Sequence, residues 1–102
     1  MLTIMIHAKI KAELLDEYID LIKMLSRETA KKGCTFYKFN QNRDDPTDFV
    51  LYEQWESQAA LDVHMKELFE LLGPAKEGEP IPHKLMKMYE KAVPVFYDVV
   101  GE

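Results

Sequence analysis

The sequence predicts a single α+β domain whose elements follow the order βαββαβ, with an extra short helix before the last strand. Three observations support this fold class. Apolar residues first alternate with a period of two, then follow the period of a helix, and this change occurs twice along the chain. No internal repeat or linker divides the 102 residues, which suffice for one hydrophobic core. We therefore treat residues 1–102 as one domain.

The first half of the chain predicts a strand, a long helix and a second strand. Residues 2–9 alternate between two faces, as a half-buried strand does. Residues 12–32 carry apolar side chains at helical spacing, with acidic residues in the first turns and basic residues at the end. Gly33 is expected to cap this helix in a left-handed conformation. Residues 34–41 are rich in aromatic and β-branched side chains, which favour a strand.

A polar turn and a second helix follow. Residues 42–47 are turn-prone and should join the second strand to an antiparallel third strand at residues 48–55. Ser57 is predicted to cap the next helix, which Gly73 and the following proline end. The apolar stripe of that helix comprises Ala60, Leu61, His64, Leu68, Leu71 and Leu72.

The end of the chain predicts a short helix at residues 83–91 and a last strand at residues 93–100. Pro94 near the start of this strand favours an edge or entry position, because proline cannot donate to a central ladder. The complete order is that of a ferredoxin-like sandwich, in which helices cover one face of the sheet.

The strands are nevertheless apolar on both faces. In the third strand Phe49, Leu51 and Trp55 point one way, whereas Val50 and Tyr52 point the other. Two helices can cover only one face, and monomers rarely expose a large apolar patch. We therefore expect a homodimer in which two sheets face each other across a two-fold axis.

Composition narrows the possible partners and compartments. The net charge is -5 and basic residues are scattered, which argues against nucleic acid or an anionic membrane as the main partner. The single cysteine, Cys34, fits a reducing compartment. The first residues lack a signal-peptide pattern, and no apolar run approaches the ~20 residues of a membrane span. We expect a cytoplasmic protein, and the wide spacing of the three histidines predicts no metal site.

Two stretches carry a family resemblance. Residues 33–37 read Gly-Cys-Thr-Phe-Tyr, and residues 49–64 contain the patterns Y-E-x-W and A-x-x-x-H. Together they resemble the signature region of the antibiotic biosynthesis monooxygenase family, and the resemblance extends over nearly the whole chain. It implies a dimeric α/β-barrel of ferredoxin-like subunits. The superfamily includes quinol monooxygenases, haem-degrading enzymes and isomerases of small carbonyl compounds.

Carried over to this sequence, the resemblance implies a site for a quinol-like or polyphenolic small molecule. The catalytic positions would be His64, Trp55 and Tyr37. The substrate-binding positions would be His7, Asn40, Leu51 and Glu53. No cofactor is implied, since the anion of such a substrate supplies the electrons that reduce oxygen.

The chemistry of the side chains fits these roles. A histidine can accept a phenolic proton near neutral pH, and an indole can stack on a flat substrate and donate its N–H. Tyr37 and Asn40 could orient oxygen groups, but the strand period turns them to opposite faces, so only one of them should reach a given pocket.

Each position also has a structural interpretation. His64 shares its helix face with Ala60 and Leu68, which suits a hydrogen-bonded core histidine. Trp55 could serve only packing, and Glu53 could bind a helix end or the subunit interface. Three functions therefore stay open: a cofactor-independent monooxygenase, an isomerase with His64 or Glu53 as its base, and a non-catalytic ligand-binding dimer module. A site closed to solvent would favour the third.

Overall fold

The computed structural model describes residues 1–101, which form an antiparallel sheet with helices packed on one of its faces. The strands are β1 (Leu2–Ile10), β2 (Cys34–Gln41), β3 (Asp48–Trp55) and β4 (Tyr89–Asp98). The helices are α1 (Leu15–Glu28), α2 (Gln58–Leu72) and α3 (His83–Met86), and a 3-10 turn at Ala12–Leu14 precedes α1. The strand order β2-β3-β1-β4 confirms the predicted ferredoxin-like α+β fold.

The first helix ends earlier than its apolar pattern predicts. It stops at Glu28, where the backbone N–H and hydroxyl of Thr29 both bond to the carbonyl of Leu25, at 3.2 and 2.7 Å. Gly33 does adopt a left-handed conformation, with φ of 78°, but it lies past the end of the helix and leads into β2. The prediction that Gly33 caps α1 is therefore wrong, because Thr29 already caps the helix through the carbonyl of Leu25.

The second helix has the predicted ends. The hydroxyl of Ser57 accepts a hydrogen bond from the N–H of Ala60 at 3.2 Å, which satisfies one of the free donors of the first turn. Gly73 ends the helix with φ of 89°. Leu71, predicted within the apolar stripe, is instead exposed, whereas Leu72 is buried.

The last strand begins and ends earlier than predicted. It starts at Tyr89, not at residue 93, because β1 continues to Ile10 and offers ladder partners to the preceding residues. A register shift at the end of β1 absorbs the extra residue in β4. The predicted helix at residues 83–91 is accordingly reduced to α3. Pro94 lies on an edge strand, as expected.

The ladders settle which strand residues share a face. Ile4 pairs with Glu53 on one side and Phe96 on the other, and Ile6 pairs with Leu51. These side chains belong to the face that the helices cover, which we call the inner face. Met5 pairs with Tyr52 and belongs to the opposite, open face. The inner face carries two adjoining groups of buried side chains, a large one beneath α1 and a small one around Trp55.

Candidate functional site

Three elements bring four predicted residues together at the end of the inner face nearest the start of α2. Glu53 and Trp55 lie two positions apart on β3 and therefore point the same way. Tyr37 is the ladder partner of Glu53 on β2. His64 lies in α2 and packs against the rings below it. We call Tyr37, Glu53, Trp55 and His64 the aromatic site.

The rings of the aromatic site are in mutual contact. The centroids of His64 and Trp55 are 4.7 Å apart with an interplanar angle of 36°, a tilted stack. Tyr37 meets His64 edge-on at 5.3 Å and Trp55 at 6.4 Å. Such offset and edge-on arrangements are the favoured ones for aromatic pairs. The site is therefore a packed apolar enclosure around one imidazole.

A carboxyl group lies on the floor of this enclosure. The indole Nε1 of Trp55 donates to Oε1 of Glu53 at 2.7 Å, and the Glu53 side chain is buried. Burial raises the pKa of Glu53 to about 6, and the indole hydrogen bond acts in the opposite sense. Glu53 thus titrates far closer to neutral pH than an ordinary glutamate.

The imidazole is buried without a full set of partners. Nδ1 of His64 is shielded from solvent and has no hydrogen-bond partner among residues 1–101. We call this atom the orphan nitrogen. Burial lowers the pKa of His64 to about 4, with a raising contribution from Glu67 and a lowering one from Lys31. His64 is therefore neutral at pH 7, so one of its ring nitrogens can accept a proton or a hydrogen bond.

Two charged side chains that the sequence reasoning missed border the site. The ammonium of Lys31 lies 5.5 Å from the ring centroid of Tyr37 and donates to the carbonyls of Ser26 and Thr29. Glu67 accepts a hydrogen bond from the N–H of Ala30 at 2.8 Å and so ties the segment before β2 to α2. The position of Glu67 three residues after His64 could have indicated its proximity. No comparable signal exists for Lys31, whose φ of 52° sets its direction.

The aromatic site is closed in this conformation, the state expected from the sequence for a non-catalytic ligand-binding module. Trp55 is 0% exposed and His64 2% exposed. Tyr37 is half-buried, and burial raises the pKa of its phenol, which therefore stays protonated. A small molecule can reach the orphan nitrogen only if a covering side chain moves aside. Tyr37 and Lys31, which lie at or beside the start of β2, are the side chains that would have to move.

The remaining predicted residues do not all join the aromatic site. Leu51 lies on the inner face beside Glu53, two positions along β3. His7 and Asn40 lie on the open face, away from His64, and Asn40 faces the opposite way from Tyr37 as the strand period predicts. The reason is the period of two, since His7 and Asn40 both pair with Val50, on the face opposite Leu51. The substrate-binding roles of both residues stay predictions. Asn40 donates to the carbonyl of Val50 at 3.1 Å.

The open face has a concave part of its own. A cavity of about 520 Å³ is lined by Met5, Phe36, Asn40, Val50, Tyr52 and Gln54. Phe36 and Tyr52 meet edge-on at 4.9 Å within it. Gln54 donates to the hydroxyls of Thr3 and Tyr52, at 3.1 and 3.3 Å. This surface is thus a patterned apolar face with a small polar network, separate from the aromatic site.

Metal-ion clusters and membrane-spanning helices are two further features considered for the described residues. Within residues 1–101 there is no group of three or more His, Cys, Asp or Glu side chains placed to share a metal ion. None of the helices in the same residues is both long enough and apolar enough to span a membrane.

Comparison with known proteins assigns the chain to a group. A family model described as "Antibiotic biosynthesis monooxygenase" matches residues 1–68. A search of curated protein sequences gave no significant match. Among solved structures, one from Nitrosomonas europaea described as a "Putative antibiotic biosynthesis monooxygenase" aligns with a TM-score of 0.81 at 18% identity, covering 99% of this chain and 100% of that one.

Two further solved structures show the same fold. One described as an antibiotic biosynthesis monooxygenase aligns with a TM-score of 0.69 at 24% identity, covering 99% of this chain and 100% of the other. A conserved protein from Methanosarcina mazei Go1 aligns with a TM-score of 0.71 at 24% identity, covering 94% and 89%. At these identities the structural likeness establishes the fold.

Proposed function

We propose a function that starts from one premise: the chain belongs to the antibiotic biosynthesis monooxygenase family. On that premise we assign it cofactor-independent oxygenation of a quinol-like or polyphenolic small molecule at the aromatic site. One oxygen atom of O₂ would enter the substrate carbon and the other would leave as water. In an anthrone-like phenol a CH₂ group becomes a carbonyl. In a quinol one ring C–H becomes C–OH while the two hydroxyl groups are oxidised to carbonyls. In both cases the substrate supplies all four electrons, so the atoms and electrons balance.

The observation that carries this proposal is the orphan nitrogen of His64 in its aromatic enclosure. Leaving a buried polar atom unpaired costs about 1–3 kcal/mol, so such atoms are rare in folded proteins and call for an explanation. A substrate hydroxyl that donates to the orphan nitrogen would supply the missing partner. The ring of Trp55, 4.7 Å from that of His64, would lie against a flat substrate.

The burial of His64 determines when its imidazole can take the phenolic proton of the substrate. A neutral imidazole can take the phenolic proton, but with a pKa of about 4 its protonated form is unstable in this enclosure. The phenolate formed beside it would offset that penalty, because an opposite charge within about 4–6 Å favours the charged form. His64 would thus act as a base only when the substrate anion lies directly beside it. The anion, which reacts with oxygen, would then be held in a space that contains little water.

Oxygen uptake tests the proposal. Purified protein treated with a metal chelator is supplied with a panel of naphthoquinols and anthrone-like phenols, and O₂ consumption is compared with the autoxidation background. We expect uptake that requires the protein and falls roughly 100-fold or more in His64→Ala, in line with loss of a general base. His83→Ala serves as the matched control, because His83 bonds to Glu79 outside the aromatic site. Uptake by the unmodified protein that equals autoxidation would contradict the proposal.

One observation favours a second candidate, a proton-transfer enzyme such as an isomerase of a small carbonyl compound. The buried Glu53 carboxyl, with a pKa raised to about 6, is a stronger base than the buried His64 imidazole. A carboxylate of that basicity suits abstraction of a proton next to a carbonyl. Substrate-dependent exchange of a carbon-bound proton, lost in Glu53→Gln and unaccompanied by O₂ uptake, would identify this reaction.

The assembly we infer is a two-fold homodimer that buries the open face. Phe36, Val93 and Tyr97 on this face are 40%, 40% and 50% exposed, and Met5, Val50 and Tyr52 lie between them. An apolar surface of this extent on a small domain marks an interaction site. A second copy offers the same surface, and a two-fold interface matches a patch with itself.

A further inference from the structure

A second concave surface lies outside the aromatic site, between α1 and the edge strand β2. It is a groove of about 700 Å³, within the range of small-molecule sites. Apolar side chains of α1, β2 and β3 form its floor, and polar or charged ones form its rim. The floor comprises Ile19, Ile22, Phe39 and Phe49, and the rim comprises Lys23, Ser26, Arg27, Lys38 and Gln41.

The rim of this groove is cationic in a chain that is acidic overall. Lys23 and Arg27 lie one helical turn apart on α1 and are exposed. Neither forms an ion pair within 4 Å with any acidic group of residues 1–101, where the salt bridges found join Lys9 to Asp45 and His83 to Glu79. The net charge of the chain is -5, so this local excess of positive charge runs against its general balance. The two cations are therefore free to meet an anion.

The floor of the groove favours a flat apolar body. Phe39 is half-buried, and its ring lies 5.5 Å from that of Tyr37, so Phe39 lies between the groove and the aromatic site. Lys38, the third cation of the rim, holds its ammonium 5.8 Å from the ring of Phe36, a residue of the open face. The cations that α1 presents to a ligand in the groove are Lys23 and Arg27.

We propose that this groove binds a small anionic molecule with a flat aromatic body. The rings of such a ligand lie against Phe39 and the apolar side chains of α1, and its carboxylate or sulfonate meets Lys23 and Arg27. A guanidinium suits this role because it can bind two oxygens of such a group at once. The inference goes beyond the proposed oxygenation, since binding in the groove requires neither His64 nor turnover.

A pair of fluorescent probes tests the charge requirement. Anilinonaphthalene sulfonate and uncharged phenylnaphthylamine have similar ring systems, and only the first carries an anion. We expect the sulfonate to bind the purified protein several-fold more tightly than the neutral probe. Its affinity should fall as NaCl is raised from about 0.05 M to about 0.5 M, because salt screens exposed charges. Equal binding of the two probes, or binding insensitive to salt, would overturn the proposal.

Matched variants test the location. The double variant Lys23→Gln/Arg27→Gln should bind the sulfonate roughly fivefold to tenfold more weakly, a modest effect because exposed ion pairs contribute little each. Lys66→Gln/Lys84→Gln makes the same charge change at exposed positions on α2 and α3 and should leave binding unchanged. Phe39→Leu keeps an apolar core side chain but removes the ring, and should weaken both probes. An equal loss in both double variants would contradict the assignment.

Nuclear magnetic resonance separates this groove from the open face, which also offers apolar surface. Backbone amide shifts on titration with the sulfonate should change most at residues 19–27 and 38–41. Changes centred on Met5 and Tyr52 instead would place the probe in the open-face cavity and overturn the proposal. Because this readout does not involve oxygen uptake, its failure and the failure of the proposed oxygenase function are distinguishable.

Discussion

The orphan nitrogen of His64 carries a cost for the stability of the fold. An unpaired buried acceptor or donor forfeits its hydration without a protein partner. No hydrogen-bond partner for this nitrogen comes from the same helix, where Ala60 and Leu68 are apolar and Glu67 bonds instead to the N–H of Ala30. A conflict of this kind, between stability and a single polar group, is typical of functional positions.

Replacing this histidine should therefore stabilise the protein. We expect His64→Leu to raise the free energy of unfolding at pH 7 by about 1 kcal/mol, because it removes the orphan nitrogen while keeping most of the buried volume. The measurement is urea denaturation, read as a higher midpoint at constant slope. His83→Leu is the control: its Nδ1 lies 3.0 Å from Glu79, so the same substitution there should give no gain. Destabilisation by His64→Leu would show that Nδ1 is well satisfied.

The two shifted groups of the aromatic site should have opposite effects on stability as pH changes. His64 titrates near pH 6.5 when unfolded and at about 4 when folded, so the unfolded state binds more protons in this window. The titration of His64 therefore lowers the free energy of unfolding as pH falls from about 6.5 to about 4, by about 3 kcal/mol in total. Glu53 has a pKa of 4.5 unfolded and about 6 folded, so its contribution is lost as pH rises, by about 2 kcal/mol.

Denaturation of three proteins between pH 4 and pH 7 separates these effects. The stability of wild type relative to His64→Leu should increase with pH, whereas that of wild type relative to Glu53→Gln should decrease. Taking differences removes the titration of all other groups that the variants share. Two differences of the same sign would contradict the assigned pKa directions.

Sequence motifs and strand periodicity together identified the four residues of the aromatic site. The motif resemblance named Tyr37, Trp55 and His64, and the period of two added Glu53 beside Trp55; the structure brings these four together, while their roles stay predictions. The position of Lys31 could not be predicted, because Lys31 lies in a loop with a left-handed backbone, where the sequence has no periodic pattern.

At the level of elements, the bounds of β2 and β3 were predictable, whereas the end of α1 and the start of β4 were not. The strands Cys34–Gln41 and Asp48–Trp55 coincide with their apolar runs, since turn-prone residues border them on both sides. The end of α1 depends instead on two hydrogen bonds from Thr29. The start of β4 depends on how far β1 extends beside it. Both are tertiary facts that local propensity does not contain.

Gly33 lies directly before the second strand and close to the second helix, and it should tolerate no side chain. A Cβ built on it would lie 2.8 Å from the Cβ of Ala60, and its φ of 78° is already unfavourable for other residues. We expect Gly33→Ala to destabilise the fold by about 2–3 kcal/mol, the sum of backbone strain and a steric clash. Urea denaturation provides the measurement.

Gly78 supplies the control for that substitution. Its φ is 83°, and nothing in the described part of the chain lies within 4 Å of an added Cβ. Gly78→Ala should therefore cost only the backbone part, about 1 kcal/mol. In an Ala60→Gly background the penalty of Gly33→Ala should fall toward that of Gly78→Ala. An undiminished penalty in that background would rule out the contact with Ala60 as its cause.

For the whole molecule, the inferred two-fold interface predicts that the protein in solution has the molar mass of a dimer. Tyr97→Asp places a charge on the open face, where Tyr97 is 50% exposed, and should convert a dimer to a monomer at micromolar concentration. Leu71→Asp introduces the same charge at a similarly exposed position, 43%, on α2 and should leave the mass unchanged. Sedimentation equilibrium measures both. A monomeric wild type at micromolar concentration would refute the interface.

The two edges of the sheet carry irregularities that oppose aggregation. The strand order leaves β2 and β4 with one unpaired side each, and exposed edges invite further strands from other chains. A register shift interrupts β2 near Thr35, another interrupts β4 after Tyr89, and Pro94 removes a donor from β4. These irregularities oppose runaway growth of the sheet from edge to edge. Concentrated protein should consequently associate in closed assemblies and resist fibril formation.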